Sequence, residues 1–133
     1  MGVKADSRSI LINASKELIE ELALPRINLV TKLSGMFDYI VFFATTQAQL
    51  ERKFSALRKH LCPTGMLWIS WQKGRKGGEH LTLTTIIKIG YDHGLVESKT
   101  LSINATWSAI KFTHPIKGKI YNNSYGKLKQ PLQ

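Results

Sequence analysis

The pattern of apolar and polar positions is clearest between Phe37 and Trp71. Tyr39-Ile40-Val41-Phe42-Phe43-Ala44 is continuously apolar rather than alternating, and rich in β-branched and aromatic residues. A strand covered on both faces of a parallel sheet has this pattern, and Thr45-Thr46 ends the run too early for a buried helix. Thr46 and Gln49 then have capping-box spacing. Leu50, Phe54, Leu57 and Leu61 follow on one helical face, while Glu51, Arg52, Lys53, Arg58 and Lys59 fall mostly on the others. Pro63 and Gly65 are expected to stop this helix. Met66-Leu67-Trp68-Ile69-Ser70-Trp71 reads as the next strand, with Leu67, Ile69 and Trp71 on one face and Met66, Trp68 and Ser70 on the other. A strand-helix-strand crossover of this length is parallel and right-handed as a rule.

The flanking sequence extends this unit in both directions. Ser9 to Asn13 predicts a short strand, and Ser15 is placed to cap a helix from Lys16 to about Leu22 that buries Leu18, Ile19 and Leu22. Pro25 ends that helix, and Ile27 to Leu33 predicts a weaker strand. Gln72 to Leu81 is a glycine- and lysine-containing loop. Thr82 then caps a helix over Leu83 to His93 that turns Ile86, Ile87 and Ile89 to the sheet and stops at Gly94. Val96 to Ile103 and Trp107 to Thr113, joined by Asn104-Ala105-Thr106, predict an antiparallel hairpin. The implied fold class is α/β: an open, mainly parallel Rossmann-like sheet with helices on both faces, a C-terminal antiparallel hairpin and the reversed strand at one edge. Residues 1–113 form the expected domain, and residues 114–133 a basic tail with little periodicity.

Composition narrows the function without naming it. The 133 residues suit one domain able to bury a core. Cys62 is the one cysteine, so no internal disulfide can form. Nothing at the N-terminus reads as a signal peptide, and the expected location is a reducing cytoplasm. No apolar run approaches the roughly 20 residues of a membrane span. The formal net charge of +10 favours polyanionic or acidic partners.

The order of elements resembles a shortened Rossmann-type methyltransferase domain. At the level of motifs the chain is similar to an uncharacterised family of small bacterial proteins, classed only as a domain of unknown function. The likeness rests on Phe37-Asp38-Tyr39-Ile40-Val41, Leu50-Glu51-Arg52, Gly65 to Trp71, Gly94-Leu95-Val96 and Thr106 to Phe112. That family's pattern has proline where Gln72 stands and acidic residues where Leu83 and Ala105 stand, and this chain has lost them. The resemblance implies a fold and no established activity.

The chemistry expected of a methyltransferase is thin. Its cofactor calls for a glycine-rich turn after the first strand and an acidic residue after the second. Here those places read Asn13-Ala14-Ser15 and Lys32-Leu33-Ser34, so no cofactor is expected. His60, His80, His93 and His114 lack metal-ligand spacing. Glu17, Glu20 and Glu21 read as a solvated helical face, and Cys62 as a structural thiol. The candidate anion or nucleic-acid contacts are Lys73, Arg75 and Lys76 at the carboxyl end of a central strand, and Lys117, Lys119, Lys127 and Lys129 in the tail, beside Tyr121 and Tyr125. Trp68 and Trp71 read as core, and Trp107 as the candidate for partial exposure. The leading reading is a non-enzymatic binding or scaffold domain. A nucleic-acid binder and a degenerate S-adenosylmethionine-dependent methyltransferase-like protein are the alternatives.

Overall fold

The structure, a computed structural model, describes residues 7–22, 28–29, 32–73 and 81–116. The elements run β1 (Arg8–Ile12), α1 (Lys16–Glu21), β2 (Asn28–Leu29), β3 (Phe37–Phe43), α2 (Gln47–Lys59), β4 (Leu61–Gln72), α3 (Leu83–Asp92), β5 (Val96–Ser102) and β6 (Trp107–Thr113). They build one six-stranded sheet in the order β2-β1-β3-β4-β6-β5. β2, β1, β3 and β4 are parallel neighbours, and β6 is antiparallel to both β4 and β5. The α/β class, the mainly parallel sheet and the closing hairpin are therefore as the sequence predicts.

The reversed strand is not at the edge. β6 lies between β4 and β5, and β5 forms the border. Their side chains explain the order. β6 buries Ala109, Ile110 and Phe112, whereas Ser98, Lys99 and Thr100 of β5 are exposed. Polar, lysine-bearing strands suit an edge, where they discourage further pairing.

β3 and β4 pair in parallel through Tyr39↔Met66, Ile40↔Leu67, Val41↔Trp68, Phe42↔Ile69 and Phe43↔Ser70. β4 begins earlier than the sequence pattern suggests, with Leu61 opposite Phe37 and a register shift before Tyr39. Leu61 is thus a buried strand residue rather than part of the helical stripe, and Pro63 and Gly65 lie inside β4 rather than ending α2. α2 stops without them, because His60 at its C-cap already leaves helical geometry (φ −95°, ψ 4°). Pro63 has no N–H to donate, and it sits in the irregular stretch of the strand where no ladder bond is lost.

Each face of the sheet carries its own core. One face sets Ile10, Ile40, Phe42, Leu67, Ile69, Ile110 and Phe112 against Leu50, Phe54 and Leu57 of α2 and Ile86, Ile87 and Ile89 of α3. The other gathers Tyr39, Val41, Phe43, Trp68 and Ala109 with Leu18 of α1. The alternation along β4 therefore falls as expected. Ile19 does not: it is 37% exposed. A six-residue helix offers only one narrow stripe, and here Leu18 and the half-buried Leu22 take it.

Local signals set the helix starts. Ser15 accepts from Leu18 N at 3.2 Å, Thr46 from Gln49 N at 3.1 Å and Thr82 from Thr85 N at 3.3 Å. The Gln49 side chain reaches back one residue further than a capping box requires, accepting from Thr45 N at 2.8 Å. α3 ends at Gly94 with φ +82°. Gly94 N donates to Tyr91 O at 3.0 Å and Leu95 N to Gly90 O at 2.9 Å, the paired bonds of a Schellman ending.

α3 lies close on β6 because Gly90 has no side chain. A Cβ there would fall 2.1 Å from Cε1 of Phe112, whose ring also meets Phe54 edge-on at 5.7 Å. Replacing Gly90 with alanine is expected to lower stability by about 2–3 kcal/mol through overpacking, despite the better helix propensity of alanine. A urea denaturation midpoint equal to or above that of the parent would contradict this packing.

Candidate functional site

The parallel strands β1, β3, β4 and β5 point their carboxyl ends to the same edge of the sheet, the side on which open α/β sheets bind ligands. Four segments meet there: Asn13-Ala14-Ser15 after β1, Ala44-Thr45-Thr46 after β3, Lys73 after β4, and the hairpin turn 103–106 between β5 and β6.

The turn after β1 decides what this edge can hold. Asn13 sits at φ +64°, in the left-handed region. Asparagine is among the few residues other than glycine that tolerate that region. Its side-chain amide donates to Phe43 O at 3.4 Å. A side chain therefore spans from the end of β1 to the end of β3. Ala14 packs against the core beneath α1, and Ser15 is used as the α1 cap. Every position of the turn carries a side chain with an assigned place.

Lys73, a candidate anion contact in the sequence, is exposed, but its groups hold the hairpin turn. Its backbone N–H donates to Thr106 O at 2.7 Å. Its ammonium donates to the Ser102 hydroxyl and to Asn104 O, the latter at 2.7 Å. Asn104 Oδ1 closes the same turn by accepting from Thr106 N and Trp107 N, each at 2.8 Å. Trp107 is half-buried and meets Phe43 edge-to-face, with centroids 5.2 Å apart and planes at 82°. Arg75 and Lys76, and Lys117, Lys119, Lys127 and Lys129 with Tyr121 and Tyr125, lie outside the described residues, as does His80.

The opposite edge is tied together by bonds of structural character. Arg8 donates its backbone N–H to Asp38 Oδ2 at 3.1 Å and its guanidinium to Met36 O at 2.6 Å, and stacks over Phe37 at 4.1 Å. His60 Nδ1 donates to Gly35 O at 2.5 Å, and His114, the first residue of the expected tail, donates from Nε2 to Leu61 O at 3.1 Å. His93 Nδ1 donates to Ile89 O at 2.9 Å, and its ring lies 5.0 Å from that of Phe54. Three of the four histidines thus meet backbone carbonyls. Among the described residues no group of three His, Cys, Asp or Glu side chains is placed to hold a metal ion. Burial pushes the half-buried Cys62 thiol upward; the charge of Asp38 and a hydrogen bond to it add to the shift, and Arg8 opposes it. A thiol so placed is a weak nucleophile. Burial likewise holds the Tyr39 phenol in its neutral form. No helix among the described residues is long and apolar enough to cross a membrane.

No family model matches the chain, and no curated protein matches it. Solved structures do, and those compared are S-adenosylmethionine-dependent methyltransferases. Magnesium protoporphyrin IX methyltransferase from Synechocystis PCC 6803, with bound S-adenosylmethionine, is similar at a TM-score of 0.59 and 12% identity, over 86% of this chain and 72% of that one. The 1,6-didemethyltoxoflavin-N1-methyltransferase of Burkholderia thailandensis gives 0.58 and 10%, over 81% and 71%. A TehB-like methyltransferase from Corynebacterium glutamicum gives 0.53 and 13%, over 85% and 83%. The chain has a methyltransferase-like Rossmann fold.

The residues present do not fit the cofactor of those enzymes. The turn that should let backbone approach a ligand closely carries Asn13, Ala14 and Ser15, with the Asn13 amide laid across to β3. After β2 the sequence holds no carboxylate before Asp38, and Asp38 lies at the amino end of β3, the wrong edge for a ribose. Sequence reasoning found the missing glycines. It did not find the left-handed Asn13 or the bond it makes. The one available signal was an asparagine directly after a strand.

Two outcomes follow from this geometry. Asn13→Ala is expected to cost about 1–2 kcal/mol, since a Cβ at positive φ is unfavourable without the amide that offsets it, while Asn13→Gly should stay within about 0.5 kcal/mol of the parent; equal losses in chemical denaturation would show that the left-handed turn is unimportant. Asp38→Asn removes a negative charge beside Cys62, so the pH midpoint of iodoacetamide labelling should fall. An unchanged or higher midpoint would contradict the assigned coupling.

Proposed function

We propose that this protein is a degenerate methyltransferase-like domain: the frame of an S-adenosylmethionine-dependent enzyme, kept for binding or scaffolding and no longer for methyl transfer. The observation that carries the reading is the turn after β1, where Asn13 bridges to Phe43 O in place of an open glycine-rich loop. Transfer of a methyl group requires the donor to be held beside its acceptor within reacting distance. A site without the donor's anchors supplies no such placement. The raised Cys62 thiol and the backbone-bonded His60, His93 and His114 supply no activated nucleophile or poised base in exchange. The lone cysteine is in keeping with a reducing compartment.

The net charge of +10 favours a second reading, in which the partner is a nucleic acid. Lys73 is committed to the hairpin turn, so that reading leans on Arg75, Lys76 and the lysines of the tail.

The deciding experiment is thermal denaturation of the full chain with S-adenosylmethionine and S-adenosylhomocysteine, followed by titration calorimetry. Neither ligand should raise the melting temperature or release measurable heat. Saturable binding of either would overturn the reading. For the second reading, fluorescence anisotropy of a labelled single-stranded RNA should show affinity that falls steeply with salt and is lost on truncation after Ile116; a truncation that binds equally well removes the tail from consideration.

A further inference from the structure

The outward side of the layer formed by α2 and α3 carries a concentration of positive charge. Arg52, Lys53, Arg58 and Lys59 of α2 and Lys88 of α3 are all exposed, against two exposed carboxylates, Glu51 and Asp92. Glu51 accepts from the Gln47 side chain at 3.3 Å, and no ion pair with another described residue neutralises any of the five cations. On the other side of the sheet, α1 holds Lys16 beside Glu17 and Glu20. Water solvates each of these side chains; what distinguishes the α2 surface is the potential to which its charges sum.

Helix geometry arranges the charges. Leu50, Phe54 and Leu57 are buried against the sheet, which places Ala48, Arg52, Ser55 and Lys59 along the outermost stripe. Arg52 and Lys59 stand two turns apart, about 10 Å along the axis. Ser55 between them and Ala48 beyond Arg52 are short and exposed, so an extended polyanion can approach the helix between the two cationic arms. Arg58 carries the surface toward α3: its Nε lies 3.4 Å from the position that a Cβ on Gly94 would take. The helix dipole favours cations in the last turn, which accounts for Arg58 and Lys59 but not for Arg52 and Lys53 in the middle of the helix.

The same surface is poor in what other partners need. Leu83, at the start of α3, is the one large apolar side chain exposed on either helix. Protein interfaces are anchored by aromatic and apolar side chains near their centre, and a helix that lies in a membrane surface buries an apolar face there. Neither is present on α2. No aromatic ring is exposed on α2 or α3 to stack on unpaired bases.

We propose that the outward face of α2, extended by Lys88 of α3, is a sequence-independent contact surface for the phosphates of a nucleic-acid duplex. It rests on the nucleic-acid reading and gives that reading a folded surface besides the loop and tail. Cations spaced along one helix face neutralise phosphates and release their counterions; such contacts position a duplex without reading its bases.

The test is fluorescence anisotropy of a short labelled DNA duplex of mixed sequence, titrated with the full chain over a range of salt. Arg52→Gln with Lys59→Gln removes the two outermost charges and keeps good helix formers in place. Lys16→Gln with Lys99→Gln removes the same charge from α1 and β5. The α2 pair should weaken binding at low salt by about tenfold or more, and lower the slope of log affinity against log salt by about 2. The control pair should leave both near the parent values, and circular dichroism should show both variants folded. Equal weakening by the two pairs overturns the proposal, since it reduces the effect to net charge, and so does an α2 pair that binds as the parent does. Tighter binding of a single strand than of the duplex overturns the choice of partner. Binding that is lost on truncation after Ile116 but indifferent to the α2 pair overturns this surface and leaves the tail reading standing; a full chain that binds no nucleic acid at low salt overturns both.

Discussion

The structure depends on the parallel pairing of β3 with β4 and on its sealing from water on both sides. Tyr39, Ile40, Val41, Phe42 and Phe43 are each at most 2% exposed, as are Leu67, Trp68, Ile69 and Ser70 across from them. A backbone buried this deeply must have its N–H and C=O groups paired, because water cannot reach them. The ladder supplies the partners, and both cores grow outward from it. From Tyr39 onward the even members of β3 feed the face under α2 and α3, and the odd members feed the face under α1; Phe37, before the register shift, joins the first. A slip of one residue would exchange the two sets and break both cores together.

That constraint explains which features were legible in the sequence. A run buried on both faces has no polar positions to alternate with, so Tyr39–Ala44 and Met66–Trp71 announced themselves. Helix starts were legible because capping is local: Ser15, Thr46 and Thr82 each act on an N–H three residues away. The end of α2 was misread for a related reason. Leu61 continues the spacing of Leu50, Phe54 and Leu57, and a buried leucine opening a strand looks the same as one closing a helix. Pro63 and Gly65 are common stop signals, yet here they accommodate the irregular start of β4. The place of β6 within the sheet was not legible from spacing, since strand order is set by contacts far apart in sequence. The polarity difference between Ser98-Lys99-Thr100 and Ala109-Ile110-Lys111-Phe112 held that information all along.

The edges of the sheet were less legible than its centre, and there the reasons are geometric. Asn13 gains its importance from a positive φ and from a carbonyl thirty residues further on. Lys73 reads as a free cation beside glycines, but the hairpin turn that it binds lies between β5 and β6, and the antiparallel pairing of β6 with β4, Gln72 opposite Trp107, brings that turn to it. Charge in a sequence indicates that a cation exists. It does not indicate whether the fold has already used it.

The frame of the sheet and its ligand edge are set by different residues. In an open α/β sheet the core lies between the strands' middles, and the ligand site lies in the turns beyond their carboxyl ends. Here the middles of β1, β3 and β4 are apolar and tightly paired, while the turn after β1 carries side chains that bond to the frame. Asn13 fills its left-handed position with an amide anchored to β3, and Ser15 spends its hydroxyl on α1. These contacts tie β1, α1 and β3 together where an open loop would leave them apart. Asn13 and Ser15 thus consolidate this end of the domain. A likeness in fold to methyltransferases at low identity therefore does not carry the chemistry of this edge with it, because the two rest on different residues.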